Sequence, residues 1–374
     1  MTVVASTLPS RPSSLSTAQV DRLLRLDVDA NRSRVIRALY RHLAGGNPDP
    51  VAVGDLVEAA ALRRSARRNS VNGLLQRAVT DGIVVLPKEV AAALAADVAE
   101  TQRQMLAIEA ETLAVARIAE SVGTPMTILK GVATRHLDYE HPVDRSYVDA
   151  DLLLPVDDHD AFARALVRSE YTAEGRSTAD GPAFFKGSEF RSRSGVGVDI
   201  HTRLFRQSHA RRDRWTDDRV PVTIGNTTLH ALSPPWRLVH AAGHLTYTPL
   251  PERKHNIALD VIRLVAAGTD LDATLRLARS IGVETAVAWG ISLACAAAEL
   301  DVDTDVLDRA ARSRRPRAVA TRAGFLAAER RIGREQIAHV FGVERRNRLR
   351  FVRSFVLPTV ASRLKPTVTS PNKR

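Results

Sequence analysis

A chain of 374 residues that is 44% hydrophobic and 26% charged is long enough to bury a real core and to divide into two or three units. Its single cysteine, Cys295, excludes internal disulfides and cysteine-based metal clusters, and aromatics at 5% argue against a base-stacking platform as the main function. The 54 basic residues against 42 acidic ones leave a net charge of +12, which suits nucleotides, nucleic acid or acidic membrane surfaces without choosing among them.

Residues 1–15, rich in Ser, Thr and Pro, read as a disordered tail without the apolar centre of a signal peptide. No apolar run is long enough to span a bilayer, so no transmembrane segment is expected and the cytoplasm is the expected compartment. From 17 to about 45, Val20, Leu23, Leu24, Val28, Val35, Ile36 and Leu39 mark one or two amphipathic helices, which Gly45, Gly46, Asn47 and Pro48 stop. Helical stretches follow at 53–61 and 71–80, either side of a strongly basic 63–68. Pro87 opens the longest expected helix, 88–122, and Gly123 and Pro125 end it. This N-terminal helical region, 16–123, carries no catalytic constellation of its own.

Between 124 and 232 the pattern changes to β-branched runs, with strands expected at 126–129, 148–154, 183–192, 196–202 and 220–229. A helix over 157–169 separates the second strand from the third, and 193–195 reads as a hairpin loop. The remainder, 233–374, is helical again: 234–245, 256–267, 271–280, 284–299, 306–313 and an arginine-rich 344–364. In the last of these Arg345, Arg346, Arg348, Arg350 and Arg353 interleave with Leu349, Val352, Phe355 and Val356, a surface that could take an anionic partner. The expected fold class is α+β, a mixed sheet between N- and C-terminal helical regions.

The chemistry concentrates in the sheet. Asp149 and Asp151 stand two apart on a strand, so both point to one face while Val148, Ala150 and Leu152 point to the other. Paired carboxylates in an apolar strand are costly to bury without a partner, and a divalent metal is the general remedy. Asp199 and His201 share one face of the 196–202 strand in the same way. If the two strands are neighbours, three carboxylates converge. Oxygen donors of that kind suit Mg²⁺ or Mn²⁺ with nucleotide phosphates, and two such ions can clamp both ends of a nucleotidyl transfer. Gly131, at the turn from strand to helix, lets backbone N–H groups approach a phosphate, and Lys130 adds a point charge for it. Arg145 reads either as a phosphate contact or as the partner of a nearby carboxylate. His201 reads either as a group behind the metal or as a hydrogen-bonded part of the scaffold. His240 and His244 share a helix face but lack the H-E-x-x-H pattern of a zinc site, and read as packing or polar support.

Together, Leu129, Lys130 and Gly131, then Arg145 ahead of Asp149, Ala150, Asp151 and Leu152, then Val198, Asp199, Ile200 and His201, resemble the uncharacterised nucleotidyltransferase family of the DNA polymerase β-like superfamily. The resemblance covers about 72–265, including His240, His244 and Asp260, and more loosely the basic C-terminal segment. It implies a nucleotidyltransferase-fold sheet that moves a nucleoside monophosphate from an NTP such as ATP to an acceptor, with pyrophosphate released. It further implies that Asp149, Asp151 and Asp199 are catalytic and hold Mg²⁺ or Mn²⁺, that Lys130, Gly131, Arg145 and His201 bind the nucleotide, and that the helical regions shape the acceptor pocket. The superfamily commonly has Gly-Gly or Gly-Ser at the turn, whereas here Lys130 precedes a lone Gly131. The acceptor class stays open among small molecule, protein and RNA. Two other classes of function remain beside transfer: a non-catalytic nucleotide- or RNA-binding protein, and a scaffold.

Overall fold

A computed structural model describes residues 11–26, 30–174, 187–205, 215–248 and 255–312. The chain opens with α1 (Thr17–Leu23), capped by Ser16, and α2 (Ala30–Leu43). A short strand β1 (Val51–Ala52) leads into α3 (Leu56–Arg68), capped by Asp55. After α4 (Asn72–Thr80), β2 (Val84–Val85) pairs with β1 in parallel. The basic run 63–68 is therefore no break between elements. It forms the last turns of α3, with Leu62 and Ala66 in the core and Arg64, Arg67 and Arg68 in solvent. The long α5 (Lys88–Ser121) then crosses to the sheet.

The sheet is built from β3 (Thr127–Ile128), α6 (Lys130–Leu137), β4 (Asp149–Leu153), α7 (His159–Arg168), β5 (Thr172–Glu174), β6 (Gly187–Arg191), β7 (Gly197–His201), β8 (Arg219–Ile224) and β9 (Thr227–Leu232). Its seven strands run in the order β5-β6-β7-β4-β3-β9-β8. The β4–β7 and β3–β9 pairs are parallel and the others antiparallel, so the sheet is mixed as expected. The single strand expected at 220–229 is instead a hairpin. Gly225, at φ +58°, adopts the left-handed backbone that a two-residue hairpin turn requires, and Ile224 pairs with Thr227 across it. β1, β2 and β5 escape a reading based on alternation because they are only two or three residues long. Part of the expected third strand, 183–186, lies outside the described residues.

Five helices follow among the described residues: α8 (Pro234–Tyr247), α9 (His255–Ala266), α10 (Leu271–Ser280), α11 (Glu284–Ala298) and α12 (Thr304–Ala311). The arginine-rich helix expected at 344–364 lies outside the described residues. α11 is apolar all round and buried nearly throughout, so it must be enclosed on every side. The enclosing helices come from both before and after the sheet. Val20, Leu39 and Leu74 share one core with Leu245, Ile262 and Trp289. Tyr40 OH and His255 Nδ1 hydrogen-bond across that core at 2.8 Å. Burial pushes the His255 pKa down to about 3, which keeps the ring neutral. The reading of 11–15 as a disordered tail is corrected in the same region. Ser13 donates through its backbone N–H and hydroxyl to the buried Asp308, at 3.1 and 2.6 Å, pinning this segment to α12.

A second core lies on one face of the sheet. Ile128, Ala150, Leu152, Val198 and Ile200 pack there beneath Met105, Ile108 and Val115 of α5 and Phe162 and Leu166 of α7. The opposite face of β4 runs from half-buried Asp149 through buried Asp151 to Leu153, which joins the helical core with Leu129 and Leu232. One end of that face is thus sealed by helices and the other is acidic. Among the described residues, no helix is long and apolar enough to cross a membrane.

Candidate functional site

The pairing of β4 with β7 settles which acids meet. Its parallel register sets Asp151 opposite Asp199, Leu153 opposite His201 and Asp149 opposite Gly197. On the other side of β7, β6 sets Glu189 opposite Asp199. Asp151, Asp199 and Glu189 therefore form a row across three adjacent strands, an arrangement in which like charges repel unless a cation lies among them. Asp151, Asp199 and His201 bring one ligand atom each to within 4.8 Å of one another, and Asp149 lies one step along the same face. Glu189 is absent from the residues the sequence singles out. Its alternation with Arg191 was visible, but its neighbour across the sheet was not.

The other half of the site is the turn from β3 into α6. Leu129 N donates to Asp151 O at 2.8 Å, which holds the turn against the acid strand. Lys130 follows with φ +44°, a left-handed backbone that costs an L-residue about 1–2 kcal/mol. Its ammonium is ion-paired to Asp151 Oδ1, and His201 Nε2 donates to the same oxygen at 2.7 Å. At Gly131 a Cβ would lie 2.3 Å from Tyr147 Cβ, so no other residue fits without moving the ring. Tyr147 is held from behind by Glu109, which accepts from Tyr147 OH at 3.0 Å and from His136 Nε2 at 2.8 Å. The packing of Tyr147 is thus by itself a demand for glycine at this position.

Electrostatically, the acids divide. Burial opposes ionisation of Asp151, yet the Lys130 ammonium and His201 hold its carboxyl well below the usual range. Burial likewise disfavours charge on Lys130, and Asp151, followed by Asp149 and Asp199, more than compensates and raises its pKa. Asp199 is pushed up from 3.8 to about 7 by burial and then by the charges of Asp151 and Asp149. Its carboxylate makes no hydrogen bond among the described residues. Between pH 4 and 7 the folded chain therefore keeps a proton at Asp199 that the unfolded chain has released. The stability of the metal-free protein should fall as pH rises through this window and level off above it. Asp199→Asn should flatten that slope and be the more stable protein at pH 8 by on the order of 1 kcal/mol, since it removes like-charge neighbours. Thermal melts in chelator at pH 5 and pH 8 check this. Identical slopes for the two proteins would contradict it.

Arg145 lies elsewhere. Its guanidinium is buried and forked onto Asp260 of α9, Nε to Oδ1 at 2.6 Å and Nη2 to Oδ2 at 2.8 Å. Tyr139 OH donates to the same carboxylate at 2.9 Å. Of the two readings of Arg145, this geometry is that of the carboxylate partner. Its neighbours do similar work. Asp144 accepts from Arg77 of α4 at 3.1 Å, Ser146 donates to Asn72 of α4 at 3.2 Å, and Tyr147 reaches Glu109 of α5. Four consecutive side chains ahead of β4 thus tie it to three helices. His240 and His244 stack on α8 at 6.1 Å, and Phe205 meets His240 edge-on at 5.6 Å, consistent with packing. Gly243 makes room for the Phe205 ring, which a Cβ there would meet at 2.5 Å. Cys295 is buried in α11 and its thiol is pushed up to about 12, as a small core residue requires.

The sequence model of a family described as "Uncharacterised nucleotidyltransferase" matches residues 55–298, about two thirds of the chain. Among solved structures, the chain is similar to an antigenic nucleotidyltransferase-like protein from Paracoccidioides brasiliensis, at 18% identity and a TM-score of 0.33. That likeness covers 43% of this chain and 76% of the other. No curated protein matches.

Proposed function

We propose a reaction from this premise: the chain belongs to the uncharacterised nucleotidyltransferase family. The reaction is transfer of a nucleoside monophosphate from an NTP to an acceptor. A bond forms between the acceptor oxygen and the α-phosphorus, the α–β bridging bond breaks, and pyrophosphate leaves. One observation carries the reading: Asp151, Asp199 and His201 converge beside the Lys130 turn, with Asp149 next to them and more negative charge than Lys130 offsets.

This donor set fits a divalent ion. Burial, and then the charges of Asp151 and Asp149, hold Asp199 near 7, and a metal is the general way to supply those acids with a matching cation. Asp149, Asp151 and Asp199 would hold Mg²⁺ or Mn²⁺, with His201 orienting Asp151. When bound, the ion supplies charge neutralisation for the phosphoryl oxygens. The rest falls to side chains and backbone of the chain itself. Gly131 and the first N–H groups of α6 receive the triphosphate, and Lys130 adds its charge there. Asp199, on the strand beside Asp151, accepts the proton of the acceptor hydroxyl through a carboxylate oxygen. Tyr147 and Glu109 keep the turn in place.

Incubating the purified chain with each α-labelled NTP and Mg²⁺ or Mn²⁺, together with RNA, cell extract or protein alone, tests the reading. Label should enter one acceptor class and vanish with chelator. Metal-dependent nucleotide binding without transfer in any mixture would instead favour a non-catalytic nucleotide-binding role, and no nucleotide binding at all would favour a scaffold.

A further inference from the structure

We infer that Lys130 is an internal counter-ion that occupies the metal position on Asp151 in the empty site and leaves it only when metal and nucleotide arrive together. The inference rests on the proposed nucleotidyl transfer and deepens it, because it assigns the site an order of binding.

Two independent observations carry it. The first is where the charge sits. The Lys130 ammonium is paired to Oδ1 of Asp151, a residue of the compact donor group, and His201 Nε2 donates to that same atom. A cation binding to this oxygen must displace the ammonium. The second is where the strain sits. Five non-glycine residues among those described have a left-handed backbone. Four of them, Arg25, Ser70, Glu170 and Glu299, close the C-terminal ends of helices, where that conformation is ordinary. Lys130 has it at the start of a helix instead. Held there, the backbone aims the side chain back across the turn onto β4. Strain of this kind persists where surrounding contacts enforce it, and the contacts here include the ion pair and the Leu129 N–Asp151 O bond.

The consequence is a coupling. A metal alone must replace an established ion pair, so it binds weakly. A metal arriving with a triphosphate brings the displaced ammonium a new anionic partner at the N-terminus of its own helix. Nucleotide and metal therefore tighten each other's binding by the same factor. The side chain is 22% exposed, which leaves it a route out of the pair.

The test is Mn²⁺ binding by the full chain, read from the electron paramagnetic resonance signal of free Mn²⁺. It is run with and without a nucleotide whose α–β bridge cannot be cleaved. In the parent protein the nucleotide should tighten Mn²⁺ at least tenfold. Lys130→Met should bind Mn²⁺ alone at least tenfold more tightly than the parent and gain less from nucleotide, while Lys130→Arg should stay near the parent. Lys130→Gln, which keeps a polar stem without charge, should behave like the Met variant and serves in its place if that variant does not fold. Uncharged variants that bind Mn²⁺ alone no more tightly than the parent overturn the inference and leave the transfer reaction standing. A parent protein that takes up no Mn²⁺ even with nucleotide overturns both.

Discussion

Asp151→Asn should lower metal-dependent NTP turnover by roughly a thousandfold, since a metal centre supplies several kcal/mol of charge stabilisation and each 1.4 kcal/mol is about tenfold in rate. The amide keeps the shape of the side chain and loses its charge. It no longer balances the Lys130 ammonium, and it is a poor ligand for a hard cation. Stability should drop as well. Removing one partner of a buried ion pair costs about 3–5 kcal/mol when the other charge stays buried. Lys130 can turn partly to water, so about 1–3 kcal/mol is the expectation here. Asp149→Asn makes the informative comparison. Asp149 is half-buried at the open end of β4, and its loss should reduce turnover with a smaller change in stability. Turnover and chemical denaturation of both variants measure the two effects separately. Turnover at the parent level in Asp151→Asn would sink the proposed chemistry.

Arg145→Met should cost about 3–5 kcal/mol of folding stability without a selective effect on nucleotide affinity. Burial works against the charge on Arg145, but the Asp260 carboxylate more than compensates and keeps the guanidinium protonated. With the guanidinium gone, Asp260 remains buried with Tyr139 OH as its one side-chain hydrogen-bond donor among the described residues. The bond lost is also the one that ties the segment ahead of β4 to α9. The double variant Arg145→Met, Asp260→Leu should recover much of the loss, because an apolar pair of similar volume leaves no unmatched charge. Urea denaturation of the parent, both single variants and the double variant measures the cycle. If Arg145 bound phosphate, the single variant would instead raise the KM for NTP at nearly unchanged stability. That result would restore the reading of this arginine as a nucleotide contact.

The candidate site was legible to different depths. Asp149 with Asp151, and Asp199 with His201, could be read as shared faces because alternation on a strand is a local property of the backbone. The long α5 and its stop at Gly123 and Pro125 were legible for a similar reason, since helix ends carry local signals. The hairpin turn at Gly225 left a signal in Gly225 and Asn226 that a single long β-branched run obscured. Glu189 left no comparable signal. Its importance comes from standing opposite Asp199, on a strand whose pairing depends on residues far away in sequence. The charge on Lys130 was visible too, but its address was not: a lysine at a turn serves a phosphate or a carboxylate equally well.

What the amino-acid sequence determined by itself was therefore the inventory: which residues share a strand face, where helices begin and end, and which chemistry those residue types can perform. Only the tertiary structure decided the partners. It set Asp151 beside Asp199 in parallel register, turned Lys130 onto Asp151, gave Arg145 to Asp260, and closed helices from before and after the sheet around α11. The physical reason is range. Alternation and capping follow from the geometry of a few adjacent residues. The pairing of β4 with β7, or of Arg145 with a helix 115 residues away, follows from how the whole chain buries its apolar surface.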